Sequence, residues 1–214
     1  MSVLVYIEAT GKLKKAALEA TFYASKIASQ IGSSVTVLAF GDASNDELAT
    51  LGNAGAAKVL KYHNAKITTI DAKAFAKVID AAAKQEGAKY IVFSNDLTSK
   101  AVAPRLAAKL KAGIVSGATQ LAEINGNAAV VLKPVFSGKA YASYELTSDV
   151  KIITVNPNSV PVEKSSNTAT VADFACELSD ADLTIKVKEI KKDSGDHIAL
   201  PEADLVVSAG RGTL

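Results

Sequence analysis

With one cysteine, Cys176, the 214-residue sequence has no means of forming an internal disulfide. A chain of this size without one suits a reducing compartment. Arginine is scarce as well: 22 of the basic residues are lysine, and the arginines stand only at 105 and 211. Lysine is a compact, well-hydrated point charge, whereas the planar fork of arginine suits bidentate anion or flavin contacts. Arg105 and Arg211 are therefore the basic positions to follow. Net charge is +2, too near balance for a nucleic-acid-binding surface. No apolar run reaches the length of a membrane span. Met1-Ser2-Val3-Leu4 enters a strand-like run at once, which leaves no room for a signal or transit peptide. The expectation is a cytoplasmic protein with no membrane insertion.

Familiar chemistry is also missing. There is no G-x-x-x-x-G-K-[ST] phosphate loop. The turn after the first strand-like run reads Glu8-Ala9-Thr10-Gly11-Lys12 rather than G-x-G-x-x-G. Neither a Ser-Gly-Gly-x-Asp-Ser loop nor a G-x-S-x-G nucleophile elbow is present. Thr10-Gly11-Lys12 reads as a solvated loop. His63 and His197 each lie in a polar loop with no His or Cys at ligand spacing, so no metal site is expected. Cys176, in Ala172-Asp173-Phe174-Ala175-Cys176-Glu177, has no nearby His or Arg and reads as a buried structural thiol. No catalytic centre can be assembled from these residues, and the chain does not read as an enzyme.

What the chain does have is core: it is 49% hydrophobic and 21% charged, as a soluble globular protein should be. Val3 to Ile7, Val35 to Phe40, Lys58 to Tyr62 and Tyr90 to Phe93 read as strands, the longest of them buried on both faces. Helical spacing runs over 14–31, 45–53, 71–85 and 99–111, with Asp71 and Ser99 as N-caps and Pro104 placed in the first turns of the last helix. This alternation predicts an α/β fold: a mainly parallel, doubly wound, nucleotide-hydrolase-like sheet flanked by helices. After Gly113 the helices stop. Residues 114–124, 128–136, 140–146 and 150–155 read as strands, with hairpin turns at Asn125-Gly126-Asn127 and Ser137-Gly138-Lys139. Antiparallel strands are thus expected after residue 113.

Residues 156–170 read as a connector, 181–192 as an exposed strand and 193–197 as a loop. The chain closes on Asp204-Leu205-Val206-Val207-Ser208-Ala209-Gly210-Arg211-Gly212-Thr213-Leu214. An apolar run followed by Gly-x-Gly looks like a strand entering a phosphate-binding turn, yet no helix follows to supply the free N–H groups. Arg105 is read as pairing with a carboxylate or carbonyl at the sheet's edge, and Arg211 as part of a tail.

Four of these segments resemble the α subunit of the electron transfer flavoproteins. They are Ala103-Pro-Arg-Leu-Ala-Ala-Lys-Leu-Lys-Ala-Gly-Ile-Val-Ser116, Lys133-Pro-Val-Phe-Ser-Gly-Lys-Ala140, Ile153-Thr-Val-Asn-Pro157 and Val207-Ser-Ala-Gly-Arg-Gly212. The region from Gly11 to Gly41 is of the expected type, and Lys133 and Asn156 depart from arginines common in the family. The resemblance implies an N-terminal α/β domain over 1–199 and, over 200–214, the first strand of a truncated FAD-binding domain. It implies an electron carrier that holds FAD with a β subunit, takes electrons from acyl-CoA or other dehydrogenases and passes them to a quinone oxidoreductase. Fatty-acid β-oxidation is the family's commonest setting. Arg211 maps onto an FAD-contacting position of the complete protein, its flanking Gly210 and Gly212 allowing close backbone approach to the cofactor, and no FAD is expected on this length of chain alone. A stand-alone α/β domain binding adenine nucleotides at its strand ends is the alternative, and a pure interaction module is a third reading.

Overall fold

A computed structural model describes residues 2–67, 69–163, 165–189, 203 and 205–213. β1 (Ser2–Glu8), β2 (Ser34–Phe40), β3 (Lys58–Tyr62) and β4 (Ala88–Ser94) alternate with α1 (Lys15–Gln30), α2 (Asn45–Ala49), α3 (Ala72–Glu86) and α4 (Leu97–Leu110). The second predicted helix continues past α2 only as a 3-10 turn, Thr50–Ala54. Then come β5 (Gly113–Ala118), β6 (Glu123–Asn125), β7 (Ala128–Val135), β8 (Ala140–Leu146), β9 (Lys151–Val155) and β10 (Thr170–Asp173).

Seven strands form one sheet in the order β10-β3-β2-β1-β4-β9-β5, parallel at every pairing. Successive residues of a strand point to opposite faces, and both faces are covered. Val3, Val5 and Ile7 meet Phe22, Tyr23 and Ile27 of α1, while Leu4 and Tyr6 join the cluster of Phe75 and Ile79 from α3 with Val102 and Leu106 from α4. This is why the strands read as unbroken apolar runs rather than alternating ones. Of the strands expected to run antiparallel after residue 113, β5 and β9 instead join the main sheet in parallel, and the rest form a small antiparallel sheet of their own, β6-β7-β8. It packs Ala129, Val131 and Leu146 into the α1-side cluster, and the Gln30 amide ties it to α1 through Ala122 O (3.0 Å) and Ile124 N (3.0 Å).

Several local expectations are corrected. Residues 114–124 are not one strand, because the chain leaves β5 after Ala118 and re-forms as β6. The cap of α4 is Asp96, not Ser99; Ser99 is the partner three residues on. The earlier start makes Pro104 an interior, exposed residue of the helix. The connector ends in β10, a strand not foreseen. Asp180–Asp182 form a 3-10 turn, and residues 183–189 carry no strand; 190–192 and the loop 193–197, with His197, lie outside the described residues. The closing run is likewise not a strand over 205–210, and Leu205, Val206 and Val207 are exposed. Their hydrophobic faces have no second sheet within the described chain to enter.

Candidate functional site

The chain builds leftwards from β1 through β2 to β3, then crosses back to β4 on the other side of β1. The strand order therefore reverses between β1 and β4, and in open α/β sheets the crevice outside such carboxyl ends is where ligands bind. Glu8 ends β1. Asn95 and Asp96 follow β4 and start α4, where Asp96 Oδ1 accepts from Ser99 N (2.8 Å) and Asp96 N donates to Ser99 Oγ (2.9 Å). That exchange satisfies two otherwise open helix-start groups. Buried Thr98 donates its hydroxyl to the Glu8 carboxylate, locking α4 to the end of β1.

Beneath this lies Tyr6. Its side chain is buried and its hydroxyl has no hydrogen-bond partner among the described residues. Burial first, then the carboxylates of Glu8 and Asp96, hold its pKa well above the ordinary tyrosine value, so the group stays a neutral phenol. On the other flank, Asn95 joins β4, β9 and β5. Its amide donates to Asn156 Oδ1 (2.6 Å) and its Oδ1 accepts from Thr154 Oγ1 (3.0 Å), which in turn accepts from Gly117 N (2.9 Å). Gly117 sits at φ +84°, a conformation side chains disfavour, and a Cβ there would stand 3.2 Å from Asn156 Oδ1. Asn156 thus joins this edge through its side-chain amide.

A cavity of about 440 Å³ opens at the carboxyl ends of β1, β2 and β3, under the loop that leads into α3. Its wall is aromatic, with Phe40 4.9 Å from Tyr62 and 4.8 Å from Phe75 between ring centroids. Glu8, Asp42, Thr10 and His63 line its polar side, and no lysine or arginine does. A phosphate would find no counter-charge there, which counts against the nucleotide-domain alternative.

The arginines are not brought to this crevice. Arg105 is exposed on α4, in no ion pair among the described residues, so the pairing expected at the sheet's edge is not made. Arg211 is exposed and opens a 3-10 turn, Arg211–Thr213. A Cβ on Gly210 or Gly212 would meet nothing within 4 Å. These residues can offer a dinucleotide one cation and close backbone approach, but not the enclosure that a bound cofactor needs. Cys176 is half-buried rather than buried. Burial raises its pKa, with Lys77 opposing, so the thiol is held protonated.

No group of three or more His, Cys, Asp or Glu among the described residues could hold a metal ion. None of the described helices is long and apolar enough to cross a membrane. What sequence reading missed was the Tyr6–Glu8–Thr98–Asp96 cluster. Only the rule that ligands bind at strand carboxyl ends could have drawn attention to it.

Residues 3–179 match the family model described as "Electron transfer flavoprotein domain". Curated relatives include the electron transfer flavoprotein subunit alpha of Bacillus subtilis (strain 168), 29% identical over 158 residues, which covers 74% of this chain and 48% of that protein. The subunit alpha of Megasphaera elsdenii is 28% identical, covering 94% of this chain and 61% of its own length. Protein FixB of Clostridium saccharobutylicum is 27% identical with the same coverage. The chain thus spans between about half and three-fifths of the relatives it matches.

Proposed function

Because this chain belongs to the electron transfer flavoprotein family, we propose that it is the scaffold and interface domain of an α subunit, an electron carrier without a catalytic centre of its own. The observation that carries this reading is the match over residues 3–179, which takes in the whole described α/β body from β1 to β10. In the complete protein a β subunit and this chain hold FAD together. In the cytoplasm the complex takes electrons from acyl-CoA or other dehydrogenases and passes them to a quinone oxidoreductase at the membrane. The flavin, when bound, supplies the redox chemistry; the protein supplies position and electrostatics.

On this reading residues 1–199 form the scaffold domain and 200–214 the opening of an FAD-binding domain. Arg211 offers its guanidinium to the cofactor, and the lack of a side chain at Gly210 and Gly212 lets the cofactor come close. The exposed state of all three supports a role completed by further protein rather than by this body. The test is co-expression of the complete gene product with its cognate β subunit. A yellow complex carrying FAD is expected, and a colourless complex, or none, would end the reading.

A further inference from the structure

The cavity at the carboxyl ends of β1, β2 and β3 is distant in role from any flavin contact assigned above, and its chemistry is specific. We infer that it binds a small organic cation, an amine or amidine carried on a flat apolar body.

Size comes first. At about 440 Å³ the space falls within the range of small-molecule sites, and such sites are mostly apolar with a few placed polar groups. The wall supplies the apolar part. Tyr6, Phe40, Tyr62 and Phe75 lie in an unbroken aromatic chain, the Tyr6–Phe40 centroids 5.1 Å apart. Ring faces attract a cation held against them, most strongly where water is displaced. Charge then selects the sign. Glu8 and Asp42 are the acidic residues of the lining. No lysine or arginine is among the lining residues, and Lys66, from the adjoining loop, pairs with Asp180 at 3.1 Å.

Glu8 completes the set. Its carboxylate accepts from the Thr98 hydroxyl, and the residue lines the cavity. An ammonium or amidinium group beside it would give the carboxylate a counter-charge while its apolar body lies against the rings. A neutral ligand would leave the carboxylate unmatched, and an anion would be repelled.

Isothermal titration and saturation-transfer NMR test this with phenethylamine and benzamidine as cations, 2-phenylethanol as the neutral isostere and AMP as the anion. Both cations are expected to bind with Kd below about 1 mM, and phenethylamine about tenfold more tightly than 2-phenylethanol. AMP should not compete. Glu8→Gln should weaken phenethylamine about fivefold and leave 2-phenylethanol unchanged. Should Glu8→Gln fail to fold, as judged by its circular dichroism melt, Asp42→Asn on the exposed rim takes its place. Absence of cation binding, equal binding of the alcohol, competition by AMP or unchanged cation affinity in the folded variant would overturn the inference. None of these outcomes depends on flavin or on a β subunit, so this inference and the proposed function can fail separately.

Discussion

At the scale of single residues, Asp71 ties two distant segments of the chain together. One carboxylate oxygen caps α3 through Lys73 N (3.0 Å) and Ala74 N (3.3 Å). The other accepts from Thr184 N (2.5 Å), Thr184 Oγ1 (3.0 Å) and Ile185 N (3.0 Å). It fastens the segment after the 3-10 turn Asp180–Asp182 onto the start of a helix more than a hundred residues earlier. Burial pushes its pKa up, but the hydrogen bonds from Thr184, Ala74 and Ile185 outweigh that and hold it below the ordinary carboxylate value. A carboxylate depressed in the folded state stabilises above its unfolded pKa and loses that contribution as pH falls through the folded one. Asp71→Asn should therefore cost about 2 kcal/mol at neutral pH, read as a fall in melting temperature of about 5 °C. The gap between variant and parent should narrow as pH drops below about 4. A gap that stays constant across that range would show that the charge is not what holds the segment. Sequence alone identified Asp71 as a cap but not its second oxygen's partners, because nothing local links position 71 to 184. With Ser99 the opposite happened. Asp96 and Ser99 are both good capping residues three apart, and only the backbone shows that Asp96 is the cap.

At the scale of elements, the parallel strands and their helices were legible because both-face burial and helical spacing leave strong periodic signals. β10 was not. It is four residues long, mostly exposed and at the sheet's edge, beside β3, so it carries almost no pattern. Its place is set instead by contact at Gly52, where a Cβ would come within 2.4 Å of Thr168 C and 2.5 Å of Ala169 N. Both are main-chain atoms that cannot swing aside. Gly52→Ala should displace the segment leading into β10 and cost about 2 kcal/mol, with faster limited proteolysis between 163 and 180 than in the parent. Unchanged proteolysis and melting would mean the approach is looser than the structure has it. The alternation at Leu183, Ile185 and Val187 misled in the other direction: it reads as a strand but pairs with none among the described residues, and Ile185 and Val187 remain exposed. The aromatic cavity escaped sequence reading for a related reason. Tyr6, Phe40 and Tyr62 each look like ordinary strand residues, and only the parallel register sets their strand ends side by side.

At the scale of the whole molecule, the seven-stranded sheet is covered on both faces without help from the closing segment, whose Leu205 and Val207 are 82% and 87% exposed. Deleting 204–214 should therefore shift the melting temperature by no more than a few degrees, about 1 kcal/mol for a body of this size. Collapse of the fold would place the boundary proposed at residue 199 elsewhere. A scaffold that leaves Gly210, Arg211 and Gly212 exposed predicts, on the proposed function, a protein that finds its partner before it finds a stable cofactor site. The most direct test is light scattering with in-line visible absorbance on this chain mixed with its cognate β subunit. A one-to-one complex is predicted, formed by a chain that is colourless when run alone. Two separate species in the mixture, or one equivalent of flavin on the isolated chain, would contradict it.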